Sequence, residues 1–234
     1  MTFLNRGPIA WHRWLLAVLL SVATAAALAH GVSDSDKGFL KGTTGVQILP
    51  FMYLGAKHMV TGYDHLLFLC GVIFFLYRMK DIGLYVTLFA VGHSTTLLMG
   101  VLNGWHINAY LVDAIIGLSI VYRAFDNLGG FLTVFGVQPN KKASVLVFGF
   151  AHGLGLATKL QDFSLSPEGL IPNIIAFNVG VEIGQLFALA MILIAMRYWR
   201  TTASFARHVV ASNVVLMTAG FVLAGFQFTG FLSQ

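Results

Sequence analysis

Asp64, His65, His93, Asp113, His152 and Glu182 all stand inside long apolar stretches of the chain. Ionisable side chains at membrane depth cost on the order of 3 kcal/mol each on insertion scales, so those that persist there usually serve a function. Carboxylates and imidazoles are also, together, ligands for a divalent metal ion. The densest group is His58-Met-Val-Thr-Gly62-Tyr-Asp64-His65. A continuous helix would set His58 and His65 on one face about two turns apart, and a bend at Gly62 would bring them closer. Asp64 reads as a cation ligand or as the acceptor that orients a ligating imidazole. The structural alternative is an interfacial histidine pair beside a helix-capping aspartate. His93, followed by Ser94, and His152, flanked by Gly153 and Gly155, fall in mid-stretch, where no water satisfies an idle ring. A hydrogen bond to a neighbouring helix is the alternative for each. Asp113 lies about two turns into its stretch. Glu182 lies about 15 Å into its own, with Asn178 and Gln185 one turn to either side on the same face. Counted from the expected ends, these residues share a depth, and no Lys or Arg is expected there to neutralise the three carboxylates. The group reads as a cation site, with a proton relay as the rival chemistry. His30, His58, Met59 and His106 read as a weaker approach zone.

The elements that must position these residues are membrane helices. Of 234 residues, 57% are hydrophobic and only 10% charged, against roughly 25% charged in a soluble domain. The net charge of +5 comes from Lys and Arg at the ends of apolar stretches, a pattern of membrane topology and not of nucleic-acid binding. Cys70 is the single cysteine, so no internal disulfide forms. The expected fold is an all-α membrane protein, a six-helix transmembrane bundle with spans near 64–79, 82–102, 107–124, 143–160, 172–198 and 208–231. Val46–His58, interrupted by Pro50, Gly55 and Lys57, reads as a short interfacial or re-entrant helix before them. Residues 1–29 read as a signal peptide: basic Arg6 and Arg13, apolar Trp14–Ala25, then Ala27-Leu28-Ala29 for cleavage. An uncleaved N-terminal helix is the alternative, and residues 30–234 form the single transmembrane domain. Arg78, Lys80, Arg123, Lys141, Lys142, Arg197, Arg200 and Arg207 share one side of this topology, against Lys37, Lys41, Lys57 and Lys159 on the other. That asymmetry predicts a multi-pass protein of the inner (plasma) membrane with the mature N-terminus outside. The pair Gly180-x-x-x-Gly184 is a close-packing site for another helix.

Four segments in order, His58-x-x-x-Gly62-x-Asp64-His65-Leu-Leu, His93-Ser-Thr-Thr-Leu, Phe148-Gly-Phe-Ala-His152-Gly-Leu-Gly155 and Ala176-Phe-Asn178-Val-Gly-Val-Glu182-Ile-Gly-Gln185, resemble the HupE/UreJ family of polytopic membrane proteins. The resemblance implies six helices, a cleavable signal and a role in nickel or related divalent-metal uptake. It carries over His58, Asp64 and His65 from the first motif, and His93, His152 and Glu182 from the later ones, as metal residues. Met59 and Asp113 depart from the nickel-permease branch, which has Pro and Glu there, and make the chain similar to the broader second branch.

The expected function is a permease or channel for a divalent ion (Ni²⁺, Co²⁺, Cu²⁺ or Zn²⁺), with membrane lipid and the cation itself as partners. No Walker motif is present to hydrolyse ATP. The competing readings are an intramembrane metal-dependent hydrolase, for which no compact His-Glu-x-x-His motif exists, and an accessory subunit delivering metal to a membrane metalloenzyme. A homo-oligomer is compatible with each.

Overall fold

The computed structural model describes residues 44–161 and 167–234. The expected signal peptide, His30, Lys37 and Lys41 lie outside the described residues. Eight helices follow one another with no strand among the described residues: α1 Ile48–Thr61, α2 Tyr63–Ile73, α3 Met79–Leu102, α4 Ala109–Asn127, α5 Gly130–Phe135, α6 Lys141–Gln161, α7 Leu170–Arg200 and α8 Ala203–Leu232. Four of them, α3, α6, α7 and α8, are long and apolar enough to cross a membrane. The chain is thus an all-helical integral membrane protein. Asp113, Arg123 and Asp126 place three charges on α4.

Local sequence sets the helix ends. Pro50 and Pro172 each fall in the first turn of their helix, where a missing N–H costs nothing. Asn108 caps α4 by accepting from the N–H groups of Tyr110 and Leu111, and Asn140 does the same for Lys142 and Ala143 at the start of α6.

The segment Val46–His58, expected as an interfacial or re-entrant helix, forms α1 over Ile48–Thr61. α1 runs parallel to α7 and packed on it: Gln47 N–H donates to Asn173 Oδ1, a Cβ on Gly180 would overlap the Met52 carbonyl, and one on Gly184 would press on Ala56. Gly55 faces the Phe177 carbonyl as closely. Glycine on both helices allows the backbones to touch, so Gly55, which reads as a helix breaker, is a packing residue. The span expected at 64–79 is shorter than predicted, since α2 ends at Ile73. α2 continues the direction of α1 until Arg200, near the end of α7, donates to the carbonyls of Ile73, Phe74 and Leu76. α1 and α2 therefore form one rod broken at Gly62, lying along the length of α7.

Two further pairs use the same device. α3 and α6 run parallel, with Gly149 against Phe89, Gly92 against Leu146 and Phe150, Gly153 against the His93 carbonyl and Gly100 against Ala157. α4 and α8 run antiparallel, with Gly117 against Ala224 and Gly220 against Gly117 and Val121. The rods α1–α2, α3, α4, α6, α7 and α8 alternate in direction. The end at which α7 begins is called upper and the end at which it finishes lower. Arg78, Lys80, Lys141, Lys142, Arg197, Arg200 and Arg207 gather toward the lower end, as expected of residues on one side of the topology.

Candidate metal centre

The break at Gly62 is where the chemistry begins. Gly62 has φ −73° and ψ 100°, a conformation open to any residue, so space and not φ demands glycine. A Cβ there would lie 2.9 Å from His65 Nδ1, 3.0 Å from Asp64 Oδ1 and 3.0 Å from the His58 carbonyl. The interruption separates the end of α1 from the start of α2. It brings the His58 and His65 rings to 5.1 Å between centroids. The glycine seam of α3 and α6 supplies the other two rings, since Gly153 seats its helix on the carbonyl of His93 itself. His65 is the hub: its ring lies 5.0 Å from that of His152 and 5.9 Å from that of His93. Two imidazoles on one tetrahedral ion, with metal–nitrogen bonds near 2.0 Å, have centroids about 5 Å apart. His65, His93 and His152 are each no more than 3% exposed. Phe68, Phe89 and Phe177 wall the rings off from the rest of the core.

Two of the histidines have their tautomer set. His152 Nδ1 lies 2.8 Å from the Phe148 carbonyl; a carbonyl only accepts, so Nδ1 carries the proton and Nε2 keeps its lone pair. His65 Nδ1 lies 2.9 Å from Asp64 Oδ1, which also accepts the His65 backbone N–H at 2.8 Å. The ring donates to that carboxylate and again leaves Nε2 bare, the arrangement that orients metal-binding histidines. The buried nitrogens His58 Nε2, His65 Nε2, His93 Nδ1, His93 Nε2 and His152 Nε2 have no hydrogen-bond partner. The residues fit a borderline divalent ion in donor type. As the side chains stand, no three His, Cys, Asp or Glu among the described residues converge to hold a metal. The four rings are neighbours, short of a formed coordination sphere.

The remaining expected residues stand apart. Asp113 is paired with Lys159, whose Nζ lies 2.9 Å from Oδ1 and 2.8 Å from Oδ2. This overturns the expectation that no basic residue reaches the carboxylates: Lys159, near the end of α6, folds back along its flexible stem. Asp113 shares a cavity of about 20 Å³ with Asp64, Lys159 and Gln227, and so adjoins the imidazoles without joining them. Glu182 is exposed on α7 and lines a separate groove of about 410 Å³ with Thr87, Ser94, Thr95 and Gln185. The face expected to run continuously through Asn178, Glu182 and Gln185 divides: Gln185 turns inward, donating to the Val86 carbonyl at 3.3 Å, and lines a cavity of about 10 Å³ with Met59 and His65. His106 is exposed in the loop between α3 and α4.

Sequence reasoning passed over Lys159 and Gln227. The signal for Gln227 was a lone amide within the apolar run Phe221–Phe231; Lys159 looked like any helix-end charge.

No curated protein and no solved structure matches the chain. The HupE / UreJ protein family model matches residues 34–234, which include every helix described above and all of the clustered histidines, and the chain belongs to that family.

Proposed function

We propose that this family member is a permease or channel that carries a divalent transition-metal ion, nickel or its neighbours cobalt, copper and zinc, across the inner membrane. The observation that carries this reading is the set of partnerless imidazole nitrogens gathered around His65. An unsatisfied buried polar atom costs about 1–3 kcal/mol, and imidazole suits a borderline divalent ion. In this reading the rods α1–α2, α3, α4, α6, α7 and α8 each cross the bilayer. The broken rod is the kind of discontinuous helix that transporters use at a midplane site. The basic lower end faces the cytoplasm, so the mature N-terminus and the upper end lie outside and the ion arrives from there. His58, His65, His93 and His152 take the place of its water molecules, while Asp64 holds the His65 ring and offsets part of the charge. A negative-inside potential contributes about 2.3 kcal/mol per elementary charge per 100 mV, which drives a divalent ion inward without ATP.

A hydrolase would need a nucleophile or activated water beside the metal. Ser94, the hydroxyl nearest in sequence to His93, lines the Glu182 groove on the far side of Gln185, which favours transport. The test is influx of each ion into liposomes holding the untagged full chain in known orientation. Influx that rises with a negative-inside potential is the expected result. No flux of Ni²⁺, Co²⁺, Cu²⁺ or Zn²⁺, with metal still bound, would replace transport by a metal-storing or accessory role.

A further inference from the structure

Between the upper end and the histidines lies the small cavity lined by Asp64, Asp113, Lys159 and Gln227. Its members come from α2, α4, α6 and α8, so it is the one point among the described cavities where these four helices meet at a polar surface. Asp113 is 8% and Gln227 1% exposed, and the Gln227 Nε2 points to no partner. At about 20 Å³ the cavity admits one water molecule and is too small for a divalent ion with any of its hydration shell. The ammonium of Lys159 lines this space, with both Asp113 oxygens within 2.9 Å.

We propose that Lys159 is a tethered cation that gates this antechamber and determines which ions reach the histidines. The inference rests on the metal-permease reading above. Lys159 is 23% exposed at its side chain and stands two residues before the end of α6. Its stem can therefore swing the ammonium outward to water. With Lys159 in place, an arriving cation meets a resident positive charge and a carboxylate already neutralised. With Lys159 displaced, the carboxylates of Asp64 and Asp113 form an all-oxygen station on the way to His65. Oxygen ligands of that kind suit Mg²⁺ and Ca²⁺ as well as transition metals. The pair thus excludes the abundant hard cations, which have nothing to gain from the imidazoles beyond, and yields to an ion whose nitrogen coordination repays the displacement. An ion that stays at this station must keep the pair parted, whereas one that passes on to the histidines lets Lys159 return to Asp113, so the lasting cost falls on the hard cations.

Lys159→Met should lower the preference for Ni²⁺ over Mg²⁺, measured by competition in binding and in liposome flux, by about tenfold or more. Ni²⁺ affinity itself should stay within about threefold, because the imidazoles are untouched. Lys159→Arg keeps the charge and should keep the preference. Asp113→Asn with Lys159→Met removes the bare carboxylate and should restore exclusion of Mg²⁺. Because Lys159→Met leaves Asp113 unpaired and the variant can fail to fold, the wild-type protein supplies a second reading. Steady Ni²⁺ influx into liposomes should raise the rate of Lys159 acetylation by about fivefold or more, relative to Lys142, as each passing ion drives the ammonium from its bonded site. An unchanged Ni²⁺/Mg²⁺ preference in folded Lys159→Met, or an unchanged acetylation rate during Ni²⁺ influx through wild type, overturns the gate. Absence of Ni²⁺ binding to wild type instead overturns the permease reading on which it rests.

Discussion

Both ends of the bundle hold an ion pair, and the two are built differently. At the upper end Lys159 reaches Asp113 from another helix, 46 residues away in sequence, and its side chain is 23% exposed. At the lower end Arg123 and Asp126 belong to one helix, i and i+3, joined at 2.7 Å with side chains 4% and 2% exposed. Gln138 donates to the other Asp126 oxygen at 2.6 Å, and Lys141 stands 3.7 Å away. Beside this pair Asn127 ties the Gly71 carbonyl to Asn213. Phe68, Phe89, Phe148 and Tyr122 fill the space between this network and the histidines. One partner, one flexible stem and partial exposure make an interaction that exchanges; a buried pair fixed by helix register, with a second donor on its carboxylate, makes one that stays. The histidines therefore sit below a door and above a lock.

Breaking the lock should have the largest effect. Arg123→Met leaves Asp126 buried with its guanidinium partner gone, and removing one member of a buried pair costs about 3–5 kcal/mol. Thermal or denaturant unfolding in detergent should show that loss, whereas Lys159→Met should cost less, since Asp113 lies next to a cavity that admits water. Equal destabilisation by the two substitutions would erase the distinction between the ends.

Asp64→Asn tests whether the door leads to the histidines. The amide oxygen still accepts from Nδ1, but the negative charge that strengthens that bond and fixes the tautomer is gone, and losing such an orienting carboxylate costs about 10–100-fold in metal affinity. Equilibrium dialysis with Ni²⁺ reads the change; an affinity equal to wild type would separate Asp64 from the site.

The smallest effect should come from Glu182→Gln. Glu182 opens onto its own groove, with Gln185 between it and His65, so Ni²⁺ affinity should move by about threefold or less, as for a side chain that adjoins the rings only through Gln185. A tenfold loss would bring Glu182 back among the ligands.

These contrasts explain what was legible in the sequence. His58, Asp64, His65, His93 and His152 could be read because polar residues in apolar helices stand out one by one, and the structure gathers the four rings around His65. Their depth followed from counting residues along helices. Partners from distant helices could not be counted that way. Lys159 looked like a helix-end charge because nothing local records that its stem turns back to Asp113. Asn178, Glu182 and Gln185 share a helical face by spacing, yet the boundary between core and exterior passes between Glu182 and Gln185, and only packing against α3 sets it. Pro50 and Gly55 read as breaks in Val46–His58, because the glycines that receive this helix lie on α7, more than a hundred residues later.

The central claim is that imidazoles hold the ion, and X-ray absorption spectroscopy of the untagged, nickel-loaded protein tests it most directly. The account predicts one tightly held ion with imidazole nitrogens at about 2.0–2.1 Å and a spectrum that loses imidazole scattering in His65→Ala. A bound ion surrounded by oxygen alone, or a spectrum unchanged in His65→Ala, would contradict it.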